Sequence, residues 1–328
     1  MSVTSPVWPD MEESHPLCVL HNELAALLRE EPAHKIWGIT LSPDPSHFST
    51  KLILQKFLRA NKGDKEKAKK QLEDTLHWRR TYFVNGKVDG GWDESKFENL
   101  AYITKETVKD AGAEREKEVV VTWNIYGDVK DFARTFSDVE EFLRWRVDLM
   151  ERSIELLDLN SAKEPIPDWD SEHSTVDPYQ SMQVHDYLQV SFFRTPAEVK
   201  NASKKTVELF QKYYPELLEK KFFVNVPFLM GWVYNAMKLL VAKETFKKLV
   251  MLSYGQELAK HMGSKSIPTT YGGDGKLLAE SMDGHASAQA GSGTTSGEGA
   301  AVEDTNIPAP TDTISPVAVP VSPVSEAK

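Results

Sequence analysis

The sequence feature that most constrains the fold is an alternation of predicted strands and helices after about residue 100. Short runs rich in β-branched and aromatic residues predict strands, and amphipathic runs between them predict helices. The predicted strands are Val119–Tyr126, Gln183–Ser191 and Phe222–Val226, and the predicted helices between them are Ser137–Leu159 and Pro196–Tyr213. Residues 17 to about 85 predict helices alone. The chain is therefore expected to adopt an α/β fold with an all-α N-terminal lobe.

The run Gln183–Ser191 carries two polar aromatic side chains that need partners. Alternation along a strand puts His185 and Tyr187 on one face. A central strand buries both faces, and each unsatisfied buried polar group costs roughly 1–3 kcal/mol. Two interpretations stay open from these residues: a hydrogen-bonded pair inside an ordinary core, or one wall of a ligand cavity. On the strand Val119–Tyr126, one face also turns progressively polar towards Tyr126.

An arginine interrupts the apolar stripe of the predicted helix that begins at a capping box of Ser137 and Glu140. At 100° per residue, Arg146 falls in the middle of that stripe. The apolar members of the stripe are Val139, Phe142, Leu143, Met150, Ile154 and Leu157. A guanidinium keeps its proton, so Arg146 must meet an anion or a set of carbonyls inside the fold. A structural ion pair with a buried Asp or Glu and an anionic ligand both satisfy this requirement.

Charge, cysteine content and motif content exclude several classes of function. A net charge of −10 argues against nucleic acid as the main partner, because phosphate binding needs a basic surface. The single cysteine, Cys18, excludes an intramolecular disulfide and a metal site built from several thiolates. The G-x-S-x-G, P-loop and G-x-G-x-x-G patterns are absent. We therefore expect a protein that is not an enzyme.

The distribution of apolar residues argues against a secretory signal and against a membrane span. Residues 1–16 carry acidic side chains and no apolar core. The most apolar run, residues 222–242, contains Asn225, Pro227, Asn235 and Lys238, which favours a buried strand followed by a helix. We expect a cytoplasmic protein whose membrane contact is peripheral and transient.

Composition divides the chain into three parts. Residues 1–95 are expected to form the helical lobe and residues 96–276 the α/β domain. Residues 277–328 are rich in Ser, Gly, Ala, Thr and Pro, which predicts a disordered tail. Residues 160–180 contain several prolines and many acidic and serine residues, which predicts an exposed excursion within the second part.

Several motifs resemble the CRAL-TRIO lipid-binding family over roughly residues 20–276. They are Phe57-Leu58-Arg59-Ala60-Asn61-Lys62, Tyr213-Tyr214-Pro215-Glu216, Asn225-Val226-Pro227-Phe228 and Ile267-Pro268 before Tyr271-Gly272-Gly273. The resemblance implies a helical N-terminal lobe, a mixed β-sheet floor with helices around a hydrophobic pocket, and a mobile gate helix. In this chain the gate would be the apolar helix around Leu229–Ala242. It would cover a lipid when closed and meet the bilayer when open.

Within that family the chain is similar to the fungal non-classical phosphatidylinositol transfer proteins that also bind haem. The resemblance lies in Trp123-Asn124-Ile125-Tyr126-Gly127, Phe142-Leu143-Arg144-Trp145-Arg146, Val184-His185-Asp186-Tyr187 and Lys220-Lys221-Phe222-Phe223. It implies that Tyr187 is the axial ligand of a ferric haem b. His185 would lie beside Tyr187, and Tyr126, Arg146 and Lys221 would complete the site. A tyrosinate is a hard anionic ligand that suits ferric iron.

The same resemblance implies a lipid headgroup site made of Lys62, Glu216, Thr245 and Lys248. Asn61 departs from the pattern, because the family usually has a second basic residue there. The expected function is exchange of phosphatidylinositol between membranes in phosphoinositide homeostasis, combined with haem binding in the response to oxidants. The alternative is a dedicated haem-binding or haem-sensing protein, or a weak haem peroxidase, on the same fold. The endoplasmic reticulum and its microsomes are the expected membranes, with the plasma membrane as a further candidate.

Overall fold

Helices precede and surround a five-stranded sheet in the computed structural model, which describes residues 6–30, 35–109, 116–190, 196–227 and 243–280. The helices are α1 (Pro16–Glu30), α2 (Phe48–Ala60), α3 (Lys65–Tyr82), α4 (Glu94–Phe97), α5 (Phe132–Phe136), α6 (Val139–Leu157), α7 (Ala197–Tyr213), α8 (Lys243–Lys247) and α9 (Leu258–Met262). The strands are β1 (Lys35–Ile36), β2 (Ile39–Thr40), β3 (Phe83–Val84), β4 (Lys87–Val88), β5 (Ala101–Lys109), β6 (Glu116–Ile125), β7 (Ser181–Asp186), β8 (Leu218–Val224) and β9 (Leu249–Met251). The predicted α/β fold with a helical N-terminal part is confirmed.

The five-stranded sheet is mixed and has the order β5-β6-β7-β8-β9. Strands β5 and β6 pair antiparallel, whereas β6, β7, β8 and β9 run parallel to one another. The carboxyl ends of these four parallel strands therefore meet at one edge of the sheet. Ligands of open α/β sheets bind in crevices outside the carboxyl ends of strands.

The two faces of this sheet differ in chemistry because the strands alternate with period 2. One face carries Trp123, Val184 and Phe222, which pack in a closed apolar cluster. Residues after β9 cover that face, with Ile267 and Tyr271 in the same cluster and the Tyr271 ring 5.0 Å from the Trp123 ring. The opposite face is polar, and the candidate site lies on it.

The N-terminal helices share one hydrophobic cluster with α6. Leu24 of α1, Phe57 of α2 and Leu72 of α3 pack in the cluster that also contains Met150 and Ile154. Asp64 caps the start of α3, since its side chain accepts a hydrogen bond from the Lys67 amide. The described residues fall within one compact unit. The predicted boundaries at residues 95 and 276 stay predictions.

The predicted capping box of α6 is wrong by one residue. Asp138 is the N-cap, and its carboxylate accepts the Glu141 amide at 3.0 Å. Ser137 instead ends the short helix α5, because its own amide donates to the Ala133 carbonyl. Glu140 forms an ion pair with Lys205 at 2.7 Å. Because Ser137 ends α5 in the helical conformation, with φ −63° and ψ −42°, it lacks the extended conformation that an N-cap needs.

Two further expectations need correction, and two lie outside the described residues. Strand β7 ends at Asp186, and Gln189 adopts the left-handed conformation with a φ of 67°, so the predicted strand to Ser191 is too long. Residues 160–180 are not simply exposed, because Ile166 and Asp177 are buried. The predicted gate helix around Leu229–Ala242 lies outside the described residues, as does most of the predicted tail, residues 281–328. Among the described helices, none is long and apolar enough to cross a membrane.

Candidate functional site

Three aromatic side chains converge where β6 and β7 end. The two strands pair in parallel with Asn124 opposite His185, so the residues that follow them leave the sheet at the same edge. The Tyr126 ring lies 5.5 Å from the His185 ring and 5.6 Å from the Tyr187 ring, between centroids. The Tyr187 amide donates to the Val224 carbonyl at 3.1 Å, which holds its backbone against β8. The predicted neighbours Tyr126, His185 and Tyr187 thus lie together.

Strand β8 supplies the next side of this cluster. Phe223 pairs with His185 across the sheet, and their ring centroids are 5.5 Å apart. The Phe223 ring also stacks with Tyr187 at 6.2 Å. Lys221, two residues earlier on the same face, places its Nζ 5.5 Å from the Phe223 ring centroid. Strand phase therefore puts Lys221, and not its neighbour Lys220, on the face of His185.

Arg146 reaches the same face from α6 and is almost fully buried. Its Nη1 donates to the Asn124 Oδ1, and the Asn124 Nδ2 donates to the Val184 carbonyl at 3.2 Å. In the described ranges no carboxylate forms an ion pair with Arg146. This excludes a structural ion pair with any described Asp or Glu, and an amide oxygen meets the guanidinium instead. A buried cation without a counter-ion is costly unless an anion arrives.

Three buried polar atoms on this face have no hydrogen-bond partner within the described part of the chain. They are the His185 Nε2, the Arg146 Nε and the Thr122 Oγ1. Native proteins pair nearly all such groups, because each unpaired one costs roughly 1–3 kcal/mol. This concentration makes the face that carries Thr122, Arg146 and His185 the candidate site. We call it the cavity face, after the second interpretation of the His185 and Tyr187 pair.

Burial also shifts the proton affinities of this face. Desolvation, with help from Lys221 and Arg146, lowers the pKa of His185 well below its usual value, so the imidazole is neutral. Desolvation and the nearby Arg146 charge lower the pKa of Lys221 to about 7. Desolvation, followed by the effect of Tyr126, raises the pKa of the Tyr187 phenol, and Arg146 opposes this only in part. The phenol therefore keeps its proton unless a cation binds its oxygen.

The predicted headgroup residues are brought together only in part. Lys248 Nζ lies 3.7 Å from the Glu216 carboxylate and donates to the Leu218 carbonyl at 2.7 Å. Thr245 lies in α8, and its carbonyl accepts the Lys248 amide at 3.0 Å. Lys62 follows the C-cap of α2 with a φ of 54°, and its charge adds to the effect of Lys247 in lowering the pKa of Glu244 in α8. Within the described part of the chain, Lys62 forms no hydrogen bond or ion pair with Glu216 or Lys248.

Asn61, which departs from the family pattern, has a structural role at the end of α2. Its Nδ2 donates to the Phe57 carbonyl at 2.9 Å and to the Gln71 Oε1 at 2.6 Å. Arg59, two residues earlier, places its Nη2 3.7 Å from the Glu216 carboxylate. A positive charge therefore reaches Glu216 from α2 although position 61 is neutral.

The sequence analysis missed three polar residues of the cavity face. Asn124, Thr122 and Gln183 are buried on the face of His185. The signal that could have found them is the alternation of β6, whose face turns polar before Tyr126. Of that face, the sequence analysis named only Tyr126 as a site residue.

The donor set fits the haem that the sequence resemblance implies. A phenol, a neutral imidazole and two cations lie around aromatic walls, and the cations suit the carboxylates of a porphyrin. Among the described residues no cluster of three His, Cys, Asp or Glu forms a metal site. A metal on this face would therefore depend on a macrocycle for most of its ligands.

Comparisons with known proteins agree with this architecture. The family model described as "CRAL/TRIO domain" matches residues 114–273, and "CRAL/TRIO, N-terminal domain" matches residues 17–74. Phosphatidylinositol transfer protein SFH5 of Phaeosphaeria nodorum is 46% identical over 282 residues, which cover 85% of this chain and 83% of that protein. Phosphatidylinositol transfer protein sfh5 of Botryotinia fuckeliana is 46% identical over 269 residues, which cover 81% of this chain but 59% of that longer protein. The crystal structure of Sfh5 matches with a TM-score of 0.68 and 28% identity over 84% of this chain and 92% of that one.

Proposed function

The chain belongs to the CRAL-TRIO family, and from that premise we propose that it exchanges phosphatidylinositol between membranes. The observation that carries this proposal is the similarity to a phosphatidylinositol transfer protein over 83% of that protein's length. The mixed sheet supports it, because one face is a closed core and the other carries unsatisfied polar groups. Transfer needs binding and release only, so no nucleophile or general base is required.

The headgroup would bind near Glu216 and Lys248, where charges of both signs lie at the ends of β8 and α8. The Lys248 ammonium donates hydrogen bonds to inositol hydroxyls, and the Glu216 carboxylate accepts hydrogen bonds from them. Thr245 and Lys62 contribute from the same side. Membrane contact would be peripheral and transient, in the cytoplasm and at the endoplasmic reticulum or plasma membrane.

We also propose that the cavity face binds haem b, with Tyr187 as the metal ligand. A bound ferric haem supplies a Lewis-acidic metal centre that stabilises the deprotonated phenol. Burial raises the pKa of the Tyr187 phenol, so Tyr187 would act as a phenolate ligand only with a metal to stabilise that charge. His185 lies beside it with an unpartnered Nε2 and is suited to hydrogen-bond the phenolate oxygen. Arg146 and Lys221 hold the propionates. A role in the oxidant response rests on this haem proposal.

A transfer assay tests the first proposal. Donor vesicles that contain labelled phosphatidylinositol are incubated with acceptor vesicles and purified protein, and the label that reaches the acceptors is counted. We expect transfer well above the protein-free blank, and a large loss in Lys248→Ala. Lys247→Ala is the control, because Lys247 is exposed and pairs with Glu244. Transfer by the wild-type protein that does not exceed the protein-free blank would contradict the proposal.

An absorption spectrum tests the second proposal. We expect the purified protein, loaded with haemin, to show a Soret band that Tyr187→Phe shifts or removes. Tyr254→Phe is the control, because Tyr254 is exposed and its hydroxyl has no role on the cavity face. An unchanged band in Tyr187→Phe would exclude Tyr187 as the ligand. The remaining alternative is haem peroxidase activity. Turnover of an organic peroxide well above that of free haemin would support it.

A further inference from the structure

One row of side chains crosses the cavity face on three adjacent strands. Thr122 of β6 pairs with Gln183 of β7, which pairs with Lys221 of β8. Residues that pair across a sheet point to the same face. We call Thr122, Gln183 and Lys221 the polar row. It lies two residues before the row of Asn124, His185 and Phe223, further from the carboxyl edge.

The polar row has no internal partners that would explain it as part of the core. The Thr122 Oγ1 is buried without a hydrogen-bond partner in the described part of the chain. Gln183 is 5% exposed, and no hydrogen bond of its side chain joins it to the described residues. Lys221 contacts the Phe223 ring but pairs with no described carboxylate. A structural row would be satisfied by mutual hydrogen bonds, because unsatisfied groups are costly.

The opposite face shows that these strands do not need polar residues. Immediately after the row, Trp123, Val184 and Phe222 are fully buried in an apolar cluster. The same three strands therefore carry a well-packed apolar surface on one side and unpaired polar groups on the other. The polar groups have a role that packing does not explain.

Charge determines which ligand chemistry the polar row fits. Besides the row, the buried charged and titratable groups on this face are Arg146, His185 and the tyrosines at its edge. Among the described residues its carboxylates, Glu116 and Glu118, lie at the exposed start of β6, where Glu118 pairs with Lys105 at 3.0 Å. The row offers an ammonium, an amide and a hydroxyl, all of which donate hydrogen bonds. Oxyanions accept such bonds most strongly, because charge-assisted hydrogen bonds are the stronger ones.

We propose that the polar row binds the anionic end, a carboxylate or phosphate, of the amphiphile that occupies the cavity. This assignment rests on the proposed function and adds Thr122 and Gln183 as specificity-determining residues. Tyr187 lies four positions after Gln183 along the chain, which corresponds to about 13 Å in an extended chain. A ligand that touches both is elongated, with a flat or apolar body against Phe223 and its anionic end at the row.

The test compares ligands that differ only in their anionic end. Absorbance titrations with haemin and with haemin dimethyl ester measure binding of the carboxylate and of its neutral ester. Loading from phosphatidylcholine vesicles that contain phosphatidylinositol measures the phosphate. The variants are Thr122→Val, which has the same shape, and Gln183→Met. Each is measured in the full-length chain.

Thr104→Val is the matched control, because Thr104 lies on β5 and its Oγ1 accepts the Trp123 Nε1 at 2.9 Å. We expect Thr122→Val to weaken haemin binding by about tenfold, the effect of losing one hydrogen bond to a charged group. Binding of the dimethyl ester should not change. Thr104→Val should lower stability without altering either affinity.

The outcomes separate the two sources of the anion and the two proposals. Weaker haemin binding with normal lipid loading identifies the propionate as the anion, and the reverse identifies the lipid phosphate. If the wild type binds the probes and both variants bind them equally well, the proposal for the polar row is overturned and the proposed function is not. A wild type that binds neither haemin nor phosphatidylinositol overturns the proposed function and the row together.

Discussion

Single residues on the cavity face carry positive charge, whereas an ordinary apolar core carries none. Among the described residues, Arg146 donates to an amide oxygen and lies over the Trp145 and Phe210 rings, and Lys221 lies over the Phe223 ring. Such groups lower the stability of the ligand-free protein, because a buried cation without a counter-ion is unfavourable. Binding an anion removes that penalty, so the face gives up stability in exchange for affinity.

Arg146 was predictable because its signal is local. A charged residue in the middle of a helical apolar stripe is buried whichever element packs against that stripe. Its partner was not predictable, because Asn124 lies on a different element and has an ordinary place in the β6 sequence. The sequence could predict that Arg146 is buried and needs an acceptor. The identity of that acceptor depends on the register of the sheet.

The pH dependence of stability should report the buried Lys221. In the unfolded chain a lysine holds its proton up to about pH 10.4. Burial and Arg146 lower the folded pKa to about 7, so the unfolded state binds more protons between these values. The free energy of unfolding of the ligand-free protein should therefore rise as the pH is raised from about 7 to about 10. Urea unfolding at several pH values measures this slope.

Lys221→Met should reduce this slope and raise the stability at neutral pH, since it removes the desolvated ammonium. Lys220→Met is the matched control, because Lys220 is the neighbouring lysine on the same strand and does not share the face of His185. Lys221→Met should also weaken haemin binding. Equal slopes in the wild type and in Lys221→Met would show that Lys221 is not desolvated in the ligand-free protein.

At the scale of elements, hydrogen bonds tie the ends of β7 and β8 to the segment that follows β9. The Asp186 Oδ2 accepts from the Tyr271 hydroxyl at 2.7 Å, and its Oδ1 accepts from the Asn225 Nδ2 at 2.7 Å and the Leu188 amide at 2.8 Å. The Asn225 Oδ1 accepts from the Gly255 amide at 2.7 Å. Asp186 directly precedes Tyr187, so this network fixes the backbone of Tyr187, the proposed metal ligand.

Tyr271→Phe should therefore loosen the turn after β7. It leaves one oxygen of a buried carboxylate without its donor, which costs about 1–3 kcal/mol. Urea unfolding measures that cost, and amide hydrogen exchange at residues 187–190 measures the loosening. Tyr254→Phe removes a hydroxyl from an exposed tyrosine of the same segment and should change neither. Normal exchange at 187–190 in Tyr271→Phe would show that the network does not hold the turn.

Elements were predicted better than their ends. Period-2 and 3.6-residue patterns located β6, β7, β8 and α6 because each buries one or both faces. The end of β7 was predicted too late, since Leu188 continues the apolar alternation although it is exposed in a turn. That turn depends on the Asp186 side chain accepting the Leu188 amide, a choice that composition does not reveal.

At the scale of the whole molecule, a buried ion pair joins the N-terminal helices to the loop before β7. The Lys56 Nζ lies 2.7 Å from the Asp177 carboxylate, and both side chains are fully buried. The same Nζ donates to the Tyr179 carbonyl at 3.0 Å and to the Glu216 carbonyl at 2.9 Å. Residues 160–180 therefore do not leave the fold as their proline and serine content predicted. Their anchor lies on α2, about 120 residues away in sequence, where no local pattern can reveal it.

A double-mutant cycle should show that this pair couples the two regions. Asp177→Leu alone leaves a buried ammonium without its counter-ion, and it should cost about 3–5 kcal/mol of unfolding free energy. Lys56→Met alone leaves the carboxylate and two carbonyls without their donor, and it should also be costly. The double variant should lose much less than the sum, because each single change mainly creates an unpaired charge. The exposed pair of Lys70 and Asp74 is the control, and its coupling should stay below about 0.5 kcal/mol. Additive losses at Lys56 and Asp177 would mean that the pair does not connect the N-terminal helices to the loop before β7.

The Lys56 Nζ also donates to the Glu216 carbonyl. Lys56→Met should therefore reduce phosphatidylinositol loading more than a surface substitution that lowers the free energy of unfolding by the same amount.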